Sequence, residues 1–148
     1  MSPDEMKTVV INFTEEIWHK GNLGGLDQFI APDYVRHTSH FRGGGRDVHG
    51  IDATRQSIAS LRAVFPDIHF DLHDLLVDGD KVVARWTCTG TQRGEFRGIA
   101  PTGKRVAFTG INIYRLRDGR MIERWAEEDG LSLLQQLGVP LPGAESRR

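Results

Sequence analysis

Apolar residues near the N-terminus recur with a helical period. Met6, Val9, Val10, Phe13, Ile17 and Trp18 fall on one face. Ser2 or Asp4 is placed to cap a helix running to about Lys20, with Gly21-Asn22 as its stop. A short second helix is predicted over 23–30, ending before Pro32, because the residue preceding a proline avoids the α region. Tyr34-Val35-Arg36-His37 reads as a short extended run. Residues 40–46, with Gly43-Gly44-Gly45, read as a loop. A third helix is predicted over 50–64, its stripe being Ile51, Ile58, Leu61, Val64 and Phe65, with Pro66-Asp67 ending it.

Past Asp67 the period becomes two. Ile68, Phe70 and Leu72 alternate with His69, Asp71 and His73, the pattern of a half-buried strand. Asp78-Gly79-Asp80 is a hairpin turn, and residues 81–91 form a long strand rich in Val, Thr and Trp. Pro101-Thr102-Gly103 closes a connection. Strands are predicted over 104–116 and from Arg120 to about Glu127, with Asp118-Gly119 turning between them. Leu131, Leu133, Leu134 and Leu137 mark a closing helix over 130–137, and residues 140–148 read as a loose tail. Three helices, a meander of about four strands and a final helix make one α+β domain. Strands this long curl strongly, and helices laid across the open side of a curled sheet enclose a central pocket. The expected shape is a cone-shaped barrel of mainly antiparallel strands with three N-terminal helices.

Composition narrows the partners. A chain of 148 residues with 39% hydrophobic and 26% charged residues suits one globular domain. Net charge is −1 and the basic residues are scattered, which argues against nucleic acid. No apolar run approaches the roughly 20 residues of a membrane span, and the acidic, amphipathic N-terminus does not resemble a signal peptide. A cytoplasmic protein is expected. The single cysteine, Cys88, excludes an internal disulfide and reads as a small buried hydrophobe rather than a catalytic thiol. The triple glycine lacks the flanking elements of a phosphate cradle. His69, Asp71 and His73 share one strand face, which suits either a metal or a solvated polar face; no metal is expected. Trp18, Trp86 and Trp125 read as core or interface residues.

Several short motifs resemble one known family. Phe65-Pro66-Asp67, Gly94-Glu95-Phe96-Arg97-Gly98, Pro101-Thr102-Gly103-Lys104, Arg115 with Asp118-Gly119, Glu123-x-Trp125-x-x-x-Asp129 and Gln135-Gln136-Leu137-Gly138 resemble the SnoaL-like polyketide cyclases, or ester cyclases, of the nuclear transport factor 2-like superfamily. The resemblance spans nearly the whole chain and implies the cone-shaped fold. It also implies secondary metabolism, a hydrophobic polyketide-type substrate, ring closure by intramolecular aldol condensation without metal or organic cofactor, and a homodimer formed through the outer face of the sheet.

The resemblance implies an acid/base aspartate at position 126 and a histidine at position 112. This chain has Ala126 and Asn112 there. Alanine moves no proton, and asparagine is no base but can donate to an oxyanion. Glu127 would reach the cavity only through a bulge. With Ala126 inward, strand parity sends Arg124 and Ile122 inward; with Asn112 inward, Phe108, Gly110 and Tyr114 follow. Asn112 and Arg124 are therefore candidate groups for a carbonyl or enolate oxygen, with a rim ion pair as the other reading of Arg124. His37 is the remaining candidate base, or a structural histidine, and His40 is a weaker one. Asp129 is a candidate catalytic acid or the cap of the closing helix. Phe13, Ile17, Tyr34, Phe108, Tyr114 and Ala126 are the expected apolar substrate contacts. Two functions fit: a cyclase or isomerase that folds its substrate, through to a cycloaddition needing no acid/base, and a non-catalytic binding protein that kept the cone.

Overall fold

The computed structural model describes residues 1–140, so most of the tail expected over 140–148 lies outside the described residues. Helix α1 (Pro3–Phe13) opens on the predicted cap: Ser2 and Glu5 form a reciprocal capping box, with Pro3 in the first turn. The helix then widens. Residues Thr14–His19 continue it as a π-helix, with Lys20 N donating five residues back to Glu15 O. The Thr14 hydroxyl donates to Val10 O, so this polar residue is satisfied inside the wall it helps to build. The second predicted helix is a single 3₁₀ stretch, Leu23–Gln28, and stops earlier than expected. Gly24 and Gly25 weaken an α-helix there, and Ile30 is already drawn into a strand.

That strand, β1 (Ile30–His37), is longer than the extended run read from sequence. It passes through Pro32 because its register shifts between Ile30 and Val35, and a bulge tolerates the missing N–H. The glycine-rich loop also contains more order than expected. Ser39 caps a four-residue helix, α2 (His40–Gly43), by accepting from Arg42 N, and Gly44 ends it in the left-handed region. Strand β2 (Asp47–His49) follows and pairs antiparallel with β1. Helix α3 (Gly50–Val64) matches its predicted span.

The remaining strands are β3 (His69–Asp78), β4 (Lys81–Thr91), β5 (Arg105–Arg117) and β6 (Arg120–Glu128). They form a six-stranded sheet in the order β2-β1-β6-β5-β4-β3. Only β1 and β6 run parallel, so the sheet is mixed rather than a pure meander. At the β5–β6 hairpin both Asp118 and Gly119 have positive φ, the backbone of a tight turn that matches strand twist. Helix α4 (Gly130–Gln136) closes the chain, with Asp129 capping it by accepting from Ser132 N.

Two bulges decide which residues face inward. In β3 the register slips between Leu72 and Asp74, so the apolar face continues through Leu75 and Val77. In β6 it slips opposite Arg115 and Leu116, so Met121, fully buried, faces the core. The simple alternation that places Ile122 inward is therefore corrected: the bulge takes up Ile122 and hands its place to Met121. Inside the curl, Phe70, Trp86 and Phe108 meet edge to face across β3, β4 and β5, with ring centroids 5.0 and 5.8 Å apart. Each such pair contributes about 0.5–1.5 kcal/mol beyond its buried area.

Candidate functional site

A cavity lies between the inner face of the sheet and the helices α1 and α3. It has two connected chambers that share Trp18, Arg36, Arg42, Leu61, Arg124 and Glu128 as walls. The inner chamber, at the narrow end, is about 30 Å³ and is bounded by Phe13, Thr14, Tyr34, Asn112 and Tyr114. That is room for a water molecule or a single functional group. The outer chamber, about 310 Å³, opens past Ser39, Val48, Val64 and Phe96. Its size is at the lower end of the range of small-molecule sites.

Each strand contributes by parity. On β5, buried positions alternate without a break, placing Val106, Phe108, Gly110, Asn112, Tyr114 and Leu116 inward. Asn112 and Ala126 are direct cross-strand partners, so the two positions that the resemblance gives to an acid/base pair do lie side by side. Asn112 Nδ2 donates to the Tyr114 hydroxyl at 2.9 Å, and Oδ1 is buried without a partner. Turning the amide over exchanges the two ends, and the Tyr114 hydroxyl satisfies either. One amide group is thus always presented to the cavity. Tyr34 is fully buried, and burial pushes its hydroxyl up to about 12, so it stays a neutral donor.

The charged groups are the larger finding. On β6, the parity that turns Ala126 inward also turns Arg124 and Glu128 inward. The Glu128 side chain is 4% exposed and accepts from Ser39 Oγ at 2.9 Å and from Arg42 Nη2 at 2.8 Å. Arg42 thereby anchors the short helix α2 to the sheet across the mouth of the cavity. On β1, Tyr34 inward brings Arg36 inward, and the parallel register sets Arg36 opposite Arg124. Nη1 of each is buried and makes no hydrogen bond. Burial, then the charge of Arg124, pulls the Arg36 guanidinium down to about 9, still protonated at neutral pH.

The predicted site residues divide accordingly. Phe13, Tyr34, Asn112, Tyr114 and Arg124 line the inner chamber. Ile17, Phe108 and Ala126 are buried behind the wall rather than in it. His37 stands on the opposite face of the sheet from Arg36, as parity requires. Its Nδ1 is 2.8 Å from Asp47 and its Nε2 is 2.7 Å from Glu123, and its ring stacks on Trp125. This placement corrects the expectation of a cavity base. Asp129 is likewise outside the cavity, its carboxylate engaged at the start of α4. His40 lies in α2 and lines neither chamber. His69 and Asp71 bond each other on the exposed face, while His73 reaches Thr87. Trp18 and Trp86 are cavity walls, whereas Trp125 is on the outer face beside Lys81 and Arg115.

Arg36, Arg42 and Glu128 are the residues that sequence reading missed. Stepping two positions from Tyr34 and from Ala126 reaches Arg36 and Glu128. Arg42 had no comparable signal, because the helix that aims it is four residues long and capped by a serine.

Among the described residues no helix is long and apolar enough to cross a membrane. The sequence model for the SnoaL-like polyketide cyclases matches residues 8–137. The nogalonic acid methyl ester cyclase of Streptomyces nogalater is 27% identical over 134 residues, covering 88% of this chain and 96% of that protein. Among solved structures, IdmH from Streptomyces antibioticus is 32% identical with a TM-score of 0.80, over 90% of this chain and 99% of its own. TsrD from Streptomyces laurentii is 30% identical with a TM-score of 0.80, over 93% and 98%. A curled sheet roofed by helices, an enclosed two-chambered cavity and a sequence match over nearly the whole chain agree: the protein belongs to the SnoaL-like polyketide cyclase family.

Proposed function

We propose that this chain closes a ring in a hydrophobic, carbonyl-bearing, polyketide-type intermediate of secondary metabolism, without a bound cofactor. The observation that carries this reading is the pairing of a mainly apolar outer chamber with a small set of convergent polar groups at its inner end. Asn112 and Arg124 converge where a carbonyl oxygen would gain charge, and a fixed donor in a water-poor site is worth more there than in water. The outer chamber folds the rest of the chain, which lowers the barrier by fixing the reacting carbons near one another.

Glu128 is the carboxylate of this cavity, and it takes the role of base that alanine at position 126 cannot. Arg42 and the Ser39 hydroxyl hold it aimed. It removes a proton from the carbon beside a carbonyl. The resulting enolate attacks a second carbonyl, and the alkoxide so formed takes the proton back. The product is an isomer of the substrate. Nogalonic acid methyl ester, the compound in a relative's name, is the first substrate to try. Conversion shows as a product of unchanged mass and altered chromatographic retention. Loss of conversion in Glu128→Gln, Asn112→Ala and Arg124→Met, with folding intact, supports the assignment.

Ala126 beside Asn112 favours a second reading, ring closure with no proton transfer, of which a cycloaddition is an example. Undiminished turnover in Glu128→Gln selects it. Recovery of every tested intermediate unchanged, though bound, selects the non-catalytic binding protein instead. A homodimer through the outer face of the sheet, which carries the half-exposed Ile111, belongs to the same proposal and is tested by sedimentation velocity.

A further inference from the structure

The charges of the cavity do not balance. Among the described residues its walls hold three guanidinium groups, Arg36, Arg42 and Arg124, against one carboxylate, Glu128. Arg42 takes that carboxylate at 2.8 Å. Arg36 and Arg124 form no ion pair among the described residues, and Nη1 of each is buried without a hydrogen bond. They are also neighbours, one strand apart in register. Arg36 is 7% exposed, so water does little to screen the repulsion. A buried, unpaired charge such as that of Arg36 is among the most costly features a fold can hold, and a like charge beside it, partly buried on Arg124, adds to the cost. By contrast, Arg85, Arg115 and Arg117 on the surface each pair with an aspartate.

We propose that Arg36 and Arg124 form a receptor for a carboxylate carried by the ligand, so that this chain takes a hydrophobic acid in preference to its neutral ester. The inference rests on the cavity being the substrate site and narrows the substrate class. Guanidinium forks match the two oxygens of a carboxylate, and one carboxylate between two arginines neutralises much of their mutual repulsion. Both groups wall both chambers, so a bound carboxylate lies at their junction. The apolar body then fills the outer chamber, and the carbonyl beside it reaches Asn112. Curated relatives are named as cyclases of methyl esters, so the preference for an acid separates this chain from them.

The test uses 2-naphthoate and methyl 2-naphthoate, titrated against the purified protein by quenching of Trp18 and Trp86, which wall the cavity. The acid is expected to bind at least about tenfold more tightly than the ester. Arg36→Met is expected to abolish that preference, chiefly through loss of affinity for the acid, and Arg36→Lys to keep part of it. Without ligand, Arg36→Met is expected to melt at or a few degrees above the wild type, because an apolar side chain replaces an unpaired buried charge. Equal affinity for acid and ester overturns the receptor while leaving the cavity as a binding site. Failure of both compounds to bind overturns both. A preference that survives in Arg36→Met, or a lower melting temperature for that variant, also overturns the receptor, the latter by making Arg36 structural.

Discussion

Two adjacent strands, β1 and β6, carry charged residues on both faces, and the two faces treat charge in opposite ways. On the outer face His37, Asp47, Glu123 and Arg115 form a connected network, each within hydrogen-bond distance of an opposite partner. These groups are half exposed, so water shares the cost of holding them. One position along each strand, on the inner face, Arg36 is buried and Arg124 partly buried, Nη1 of each is buried without a hydrogen bond, and neither forms an ion pair among the described residues. The same strands, in the same register, thus satisfy one set of charges and leave the other open. A satisfied network stabilises a sheet; an open one waits for a ligand. Folds hold such unsatisfied groups where function requires them, at the expense of stability elsewhere.

The sharpest way to break this contrast is Glu128→Gln on the inner face. If Glu128 is the base, turnover should fall on the order of 10²–10⁴-fold with the circular dichroism spectrum unchanged, and Glu128→Asp should recover part of it. Next in size is packing of the inner face. A Cβ at Gly110 would stand 2.2 Å from Trp86 Cζ2 and 2.8 Å from Glu127 O. Gly110→Ala should therefore cost roughly 2–3 kcal/mol, read as a melting temperature lower by about 5–10 °C.

Smaller again is His37→Ala on the outer face, which should leave turnover unchanged and cost about 1 kcal/mol or less. Its pH dependence has a definite sign. The Glu123 hydrogen bond holds His37 above its ordinary 6.5, and the His37 hydrogen bond holds Glu123 below its ordinary 4.5. The histidine's contribution is complete below 6.5 and is lost as pH rises through its raised value; the glutamate's is complete above 4.5 and is lost as pH falls through its lowered value. The difference in melting temperature between wild type and His37→Ala should thus peak between 4.5 and 6.5 and shrink as pH rises above the histidine's raised value. Smallest is the behaviour of Cys88. It is buried, and burial pushes its thiol up to about 12, so iodoacetamide should leave it unmodified until the protein unfolds.

Much of this molecule was legible in the chain. The N-terminal cap, offered by Ser2 or Asp4 and made by Ser2, the third helix, the two hairpin turns and the closing helix depend on residues within four or five positions of one another, and local chemistry decides them. Parity on β5 was also legible, because Phe108, Asn112 and Tyr114 belong to a strand without a bulge. What was missed has a non-local cause. The parallel pairing of β1 with β6 joins residues some ninety positions apart, and that pairing extends β1 back to Ile30 and lays Arg36 against Arg124. Bulges at His73 and Ile122 moved inward positions by one, and no local pattern announces them.

The candidate site follows the same division. Phe13, Tyr34, Tyr114, Asn112 and Arg124 were reached by periodicity, since a side chain's face depends on its own strand or helix alone. His37 was misplaced because an ionisable histidine near a cavity-lining tyrosine looks like a base until parity is applied, and parity sends it outward beside Glu123. By itself the sequence determined the first and third helices, the four long strands and the closing helix, the curled sheet with its cavity, and the absence of a proton carrier at positions 112 and 126. Only the tertiary structure decided that a different carboxylate, Glu128, stands in that cavity and that two arginines from strands far apart in the chain meet there, unpaired among the described residues. Charge balance in a buried site is a sum over elements far apart in the chain, and that sum exists only once they are packed together.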